Sequence, residues 1–181
     1  MELDIRARSV TGFWRDAGED AWFKVDEAFD ADFRRRFLDL HYAVARRQCD
    51  GWSGHAEGSL ALMILLDQFP RNCFRGTAHM YATDPLARYF AAKAIAAGHD
   101  LDLDEKIRVF VYLPYEHSEV MADQDLSVEL TRTRAEPYLK YAEEHRDIIQ
   151  RFGRFPHRNS MLGRETTLAE RAFLDGGGFS G

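Results

Sequence analysis

Two stretches of this chain carry side chains suited to gripping an anion. "QFPRN" fills residues 68–72 and "RFPHRN" fills residues 154–159. Each sets a Phe-Pro step beside arginine and asparagine. Arginine forks match carboxylate and phosphate with two parallel N–H donors, and asparagine adds neutral hydrogen bonds. With their flanks the two stretches supply Gln68, Arg71, Asn72, Arg75, Arg154, Arg158, Asn159 and Arg164 as candidate ligand-binding residues, and His157 as a titratable neighbour. The same residues have a mechanical reading. Each stretch follows the expected end of a helix, where unpaired carbonyls attract arginine and histidine and proline stops the ladder. On that reading Arg71 and Arg158 are C-terminal caps, and Asp67 and Glu165 neutralise the arginines in an ion network. Each stretch also runs on toward an expected helix start, near Thr77 and at Thr167, where free N–H groups favour an anion.

A third stretch, "YLPYEHSEVMADQ" at 112–124, holds His117. A helix over about 115–132, turning 100° per residue, places His117 and Gln124 in an apolar stripe with Val120, Met121 and Val128. Glu116, Glu119 and Asp123 fall on another face, expected to meet solvent. His117 reads either as a buried histidine satisfied by a carbonyl or carboxylate, or as an acid–base group active near neutral pH. Glu119 lies nearly opposite His117, and no His-x-x-x-His or Glu-x-x-His spacing occurs here. Neither a metal nor a cofactor is therefore expected. No Gly-x-Ser-x-Gly elbow and no Gly-x-x-x-x-Gly-Lys phosphate loop is present.

The elements that must hold these stretches read as helices throughout. A first helix is expected over about 3–16, with Ile5, Val10, Phe13 and Trp14 turned inward. A second follows a cap at Asp30 and buries Phe33, Phe37, Leu40 and Val44, with His41 at the edge of its stripe. A third, about 56–68, is apolar nearly all round and belongs in the middle of a bundle. Asp84, Pro85 and Gly98 mark the start and stop of a fourth. A short helix is expected near 103–112, and another helix over about 136–151. Thr167 and Glu170 form a capping-box pattern before the last helix. Residues 1–175 read as one all-α domain, an antiparallel bundle or short superhelix, and "GGGFSG" at 176–181 reads as a flexible tail.

Composition narrows the function classes. The 181 residues carry 24 Lys and Arg against 30 Asp and Glu, a net charge of −6, so no footprint for nucleic acid is expected. The longest apolar run, "LALMILL", is too short for a membrane span. Cys49 and Cys73 match no metal or disulfide framework, which points to small core residues with reduced thiols in the cytoplasm.

"LDQFPRN", "ATDPLA", "LPYEHSEVMADQDLSVEL" and "FGRFPHRNSMLGRETTLAERAFL" together resemble domain-of-unknown-function family 924, in order, from residue 13 to residue 174. The resemblance implies a tetratricopeptide-like superhelix and no assigned activity. The family's signature stretches coincide with the three above. Leu168 departs from the proline common after the capping threonine, which touches only helix initiation. Three functions follow as expectations. The first is a binding module for a small anionic ligand or an acidic peptide, with Arg71, Arg158 and Arg164 as forks and Asn72, Asn159 and Gln124 fixing orientation. The second is a hydrolase or transferase with His117 or His157 as general acid–base. The third is a scaffold in which these groups are caps and ion pairs.

Overall fold

The computed structural model describes residues 2–179, and among them it is all-α with no strand. Helix α1 (Ile5–Ala17) starts where the Asp4 carboxylate accepts the Arg6 N–H. It buries Ala7, Val10 and Trp14, whereas Ile5 sits at its first turn and faces solvent. A single turn, α2 (Glu19–Trp22), folds Trp22 back so that its indole N–H donates to the Trp14 carbonyl at 2.6 Å. Helix α3 (Glu27–Ala45) buries Phe33, Phe37, His41 and Val44. Its cap is Asp26, not the expected Asp30, because Asp26 stands one turn earlier and takes the free Ala28 and Phe29 N–H groups. Asp30 turns its carboxylate to Asn72 and Arg75 instead.

The third expected helix does not stop at the first Phe-Pro stretch. Helix α4 (Ala56–Met63) passes through a π turn (Ile64–Gln68) directly into α5 (Phe69–Cys73). Proline lacks an N–H, and its ring collides with the carbonyl four residues back. The wider π turn moves that carbonyl aside and frees acceptors. Three of them find side chains. Leu65 O accepts from His41 Nδ1 at 2.8 Å, Leu66 O from the Thr83 hydroxyl, and Asp67 O from Arg71 at 2.9 Å. His41 is thus a fully buried partner of the turn rather than a residue at the edge of a stripe. Its Nε2 lies 3.2 Å from His79 Nε2.

Helix α6 (Asp84–Ala96) begins at Asp84, with Thr83 in the cap position and Pro85 in the first turn. Asp84 caps nothing; its carboxylate goes to Arg71. Gly98, with φ of 74°, closes the far end. After α7 (Glu105–Arg108) comes α8 (Leu113–Glu116). The helix expected over 115–132 is broken here, and α9 runs Met121–Arg134. The Gln124 side chain explains the break. Its amide donates to the Glu116 and Ser118 carbonyls, each at 2.6 Å, satisfying the orphan acceptors at the end of α8. Helix α10 (Leu139–Phe152) packs on α9 and ends at Gly153 in the left-handed conformation, φ 69°. The second Phe-Pro stretch then forms a 3-10 turn, Pro156–Arg158. Helix α11 (Leu168–Asp175) opens with the expected Thr167–Glu170 capping box.

A large aromatic core joins α1 to α8, with Trp14 edge-on to Phe110 at 5.3 Å. A smaller one gathers Ile148, Ile149 and Phe155 with Met121, Phe152 and Phe173. Cys49 is buried and Cys73 half-buried, and both are free. Among the described residues no helix is long and apolar enough to cross a membrane. Gly176–Gly178 lead to Phe179; residues 180 and 181 of the expected tail lie outside the described residues.

Candidate functional site

The two Phe-Pro stretches and His117 meet. Asp67, from the π turn, is fully buried and sits at the centre. Its Oδ1 accepts from His117 Nδ1 at 2.7 Å and pairs with Arg71 Nη1 at 3.1 Å. Its Oδ2 accepts from Gln68 at 2.6 Å. Arg71 then forks onto Asp84 at 2.9 and 3.1 Å. Arg158, from the second stretch, approaches the same Asp84 at 3.7 Å. Five elements therefore contribute: the π turn, α5, the start of α6, the end of α8 and the 3-10 turn after α10.

Charge is unevenly shared inside this cluster. Burial opposes ionisation of Asp67, but Arg71 and then His117 outweigh it and hold its pKa down at about 2. Arg71 is raised by Asp67 and Asp84 against the effect of burial, and stays charged. Glu116 is the reverse case. Burial, then the Asp67 charge, push it up to about 8, which leaves a neutral carboxylic acid at pH 7. This overturns the expectation that Glu116 lies on a solvated acidic face; the break before α9 turns it inward. His145 Nδ1 lies 3.4 Å from its Oε1 and 2.8 Å from the Tyr141 carbonyl. Burial, then His117, lower His145 to about 3. Burial and Arg71 also lower His117. Beside ionised Asp67, neutral His117 donates through Nδ1 and presents Nε2 as a lone pair; no described residue bonds that nitrogen.

Arg158 differs from every other arginine in the cluster. Its side chain is 7% exposed. Its guanidinium lies over two rings, Tyr81 at 4.5 Å and Phe155 at 4.4 Å. Its Nε is buried without a hydrogen-bond partner, and Asp84 at 3.7 Å is its one carboxylate among the described residues. Burial, then Arg71, lower it to about 10, so it remains protonated at neutral pH. Next to it, His157 Nδ1 is also buried and unpartnered, and burial holds this ring neutral with a pKa of about 3.

The remaining candidates are held elsewhere. Asn72 donates to Asp30 at 2.7 Å and Arg75 pairs with the same carboxylate. Arg154 forks onto Glu170, the capping-box residue, while Glu165 supplies only a backbone carbonyl. Arg164 forks onto Glu119 at 2.7 and 3.0 Å and takes Asn159 Oδ1 at 3.0 Å. Glu119 is therefore half-buried and paired, not solvated. Gln124 serves the break between α8 and α9. The expected anion sites at helix starts do not form either. Thr77 precedes only a four-residue 3-10 turn, and the start of α11 is closed by its own box. Sequence reasoning passed over Asp84, Glu116, His145, Tyr81 and Phe179. Only Asp84 left a signal, as an acidic residue before a proline, and that signal read as a cap. No set of three or more His, Cys, Asp or Glu side chains able to hold a metal occurs among the described residues.

A family model described as a bacterial protein of unknown function, DUF924, matches residues 10–178. A solved structure of a protein of unknown function from Agrobacterium tumefaciens is 58% identical, covers 95% of this chain and 98% of its own, and superposes with a TM-score of 0.93. No curated protein matches.

Proposed function

We propose, for a chain that belongs to the DUF924 family of bacterial proteins of unknown function, that it is a helical binding protein whose ligand is a small anion taken by Arg158. One observation carries this: a buried, protonated guanidinium whose Nε has no partner among the described residues. Buried charge left without hydrogen bonds is costly, and a bound carboxylate or phosphate removes that cost. The rings of Tyr81 and Phe155 hold the guanidinium, so the fork is set before the ligand arrives. Arg71 is saturated by Asp67 and Asp84, and its part is to hold Asp84 away from full pairing with Arg158. His157 supplies a neutral polar atom at the same place. The free cysteines support a cytoplasmic setting as part of this reading.

Calorimetric titration with sodium acetate and with inorganic phosphate tests it. Arg158→Met should abolish binding, and Arg158→Lys, which keeps the charge but loses the fork, should weaken it. Wild-type protein that binds neither anion overturns the reading.

A second reading, a hydrolase or transferase, draws on the Asp67–His117 pair. The carboxylate holds the tautomer and leaves Nε2 as a base. Asp67 and Glu116, one pushed down to about 2 and one up to about 8, are a pair of carboxyls driven apart as in acid–base sites. A turnover that His117→Gln removes while anion binding survives would select this reading.

A further inference from the structure

We infer that the ligand is an aromatic monocarboxylate, and that Phe179 occupies the seat of its ring in this structure. The inference rests on the anion reading of Arg158. Phe179 lies edge-on to His145 at 4.6 Å and to His157 at 5.2 Å. His157 in turn sits 5.6 Å from Phe155, one of the two rings that Arg158 lies over. His145, His157 and Phe155 thus form an aromatic slot next to the buried guanidinium. Phe179 fills it incompletely and is still 39% exposed. It follows Gly176, Gly177 and Gly178, whose N–H groups all bond to carbonyls at the end of α11, so Phe179 is the first residue past that cap. A separate molecule carrying a ring and a carboxylate makes the same edge-to-face contacts and also satisfies Arg158, which Phe179's side chain cannot do.

Charge selects a monoanion. Asp67, Asp84 and Glu119 all lie close enough to shift groups of this cluster, and Arg71 and Arg164 are already matched to carboxylates. Among the described residues of this cluster, Arg158 is the arginine short of a full partner. A phosphate dianion would bring one charge more than the site can match, and like charges this close are disfavoured.

The experiment compares phenylacetate, acetate and inorganic phosphate on the wild-type protein and on Phe179→Ala. Phenylacetate should bind more tightly than acetate. Removing the Phe179 ring should tighten phenylacetate by about tenfold, the scale of one aromatic pair, and leave acetate unchanged. On the wild-type protein, phenylacetate but not acetate should shift the NMR resonances of the Phe179 and His145 rings. Equal affinity for phenylacetate and acetate in both proteins overturns the aromatic slot while the anion reading stands. Above the second pKa of inorganic phosphate, where it is the dianion, tighter phosphate binding than either carboxylate overturns the monoanion. Failure of all three probes removes the anion reading itself.

Discussion

The two Phe-Pro stretches begin alike and end differently. In the first, the helix runs on through a π turn, and Arg71 is locked between two buried carboxylates. In the second, the helix ends at Gly153 and a 3-10 turn carries Arg158 to the same Asp84, which it reaches only at 3.7 Å. One arginine is part of the frame and the other is held ready beside it. The difference comes from the backbone, not from the side chains. A π turn releases carbonyls and draws partners inward, whereas a helix that terminates outright leaves its arginine facing the gap between elements.

Four measurements test that contrast. Arg71→Met leaves Asp67 and Asp84 buried without their main partner and should cost about 3–5 kcal/mol in urea unfolding, whereas Arg158→Met should stay within about 1 kcal/mol of wild type. Equal losses would end the distinction between frame and fork. Next, Glu116→Gln probes why the first stretch stays ionised. The folded pKa of Glu116 is raised from 4.5 to about 8, so the folded state holds the extra proton and wild-type stability should fall as pH rises through that interval. The substitution should remove the fall and stabilise the protein at pH 8 by on the order of 3 kcal/mol. Asp67 has the opposite sign. Its folded pKa is depressed to about 2, so its contribution is present above about pH 4 and should disappear as pH falls through 2 in acid unfolding. Third, Gly153→Ala forces a side chain into the left-handed region and should cost about 1–2 kcal/mol; the first stretch has no equivalent glycine. Smallest, Phe179→Ala should cost no more than about 1.4 kcal/mol, the tenfold docking preference of its ring converted to free energy. A larger loss would make the ring part of the frame.

Much of the fold was legible in the sequence, because caps and stops are local. Thr167 with Glu170 and the glycine at 98 act where spacing put them. Asp30 and Asp84 were misread for one reason: an acidic residue near a helix start caps only if no better partner is in reach, and here Arg75, Asn72 and Arg71 are in reach. The convergence of Arg71, His117 and Arg158 was legible as a question, since all three fall in polar stretches at expected helix ends. Its outcome was not. Which arginine is saturated depends on Asp84, brought in by α6, and on the π turn, which periodicity counted at 100° per residue does not show. A continuous helix would turn Glu116 to solvent, but the chain interrupts it, and a side chain eight residues away, Gln124, makes that interruption.

The π turn also sets a timetable for folding. Its carbonyl partners, His41 and Thr83, lie on either side of it in the chain. Before they dock, the carbonyls released by the turn lack these partners, and an ordinary α-helix through residues 64–68 would leave everything beyond rotated by about 100° relative to α4. Winding of this helix into its final register is therefore decided by docking and comes late. The Asp67–Arg71–His117 cluster assembles with that step, so pulsed hydrogen exchange should find the amides around Phe69 protected after those of α3.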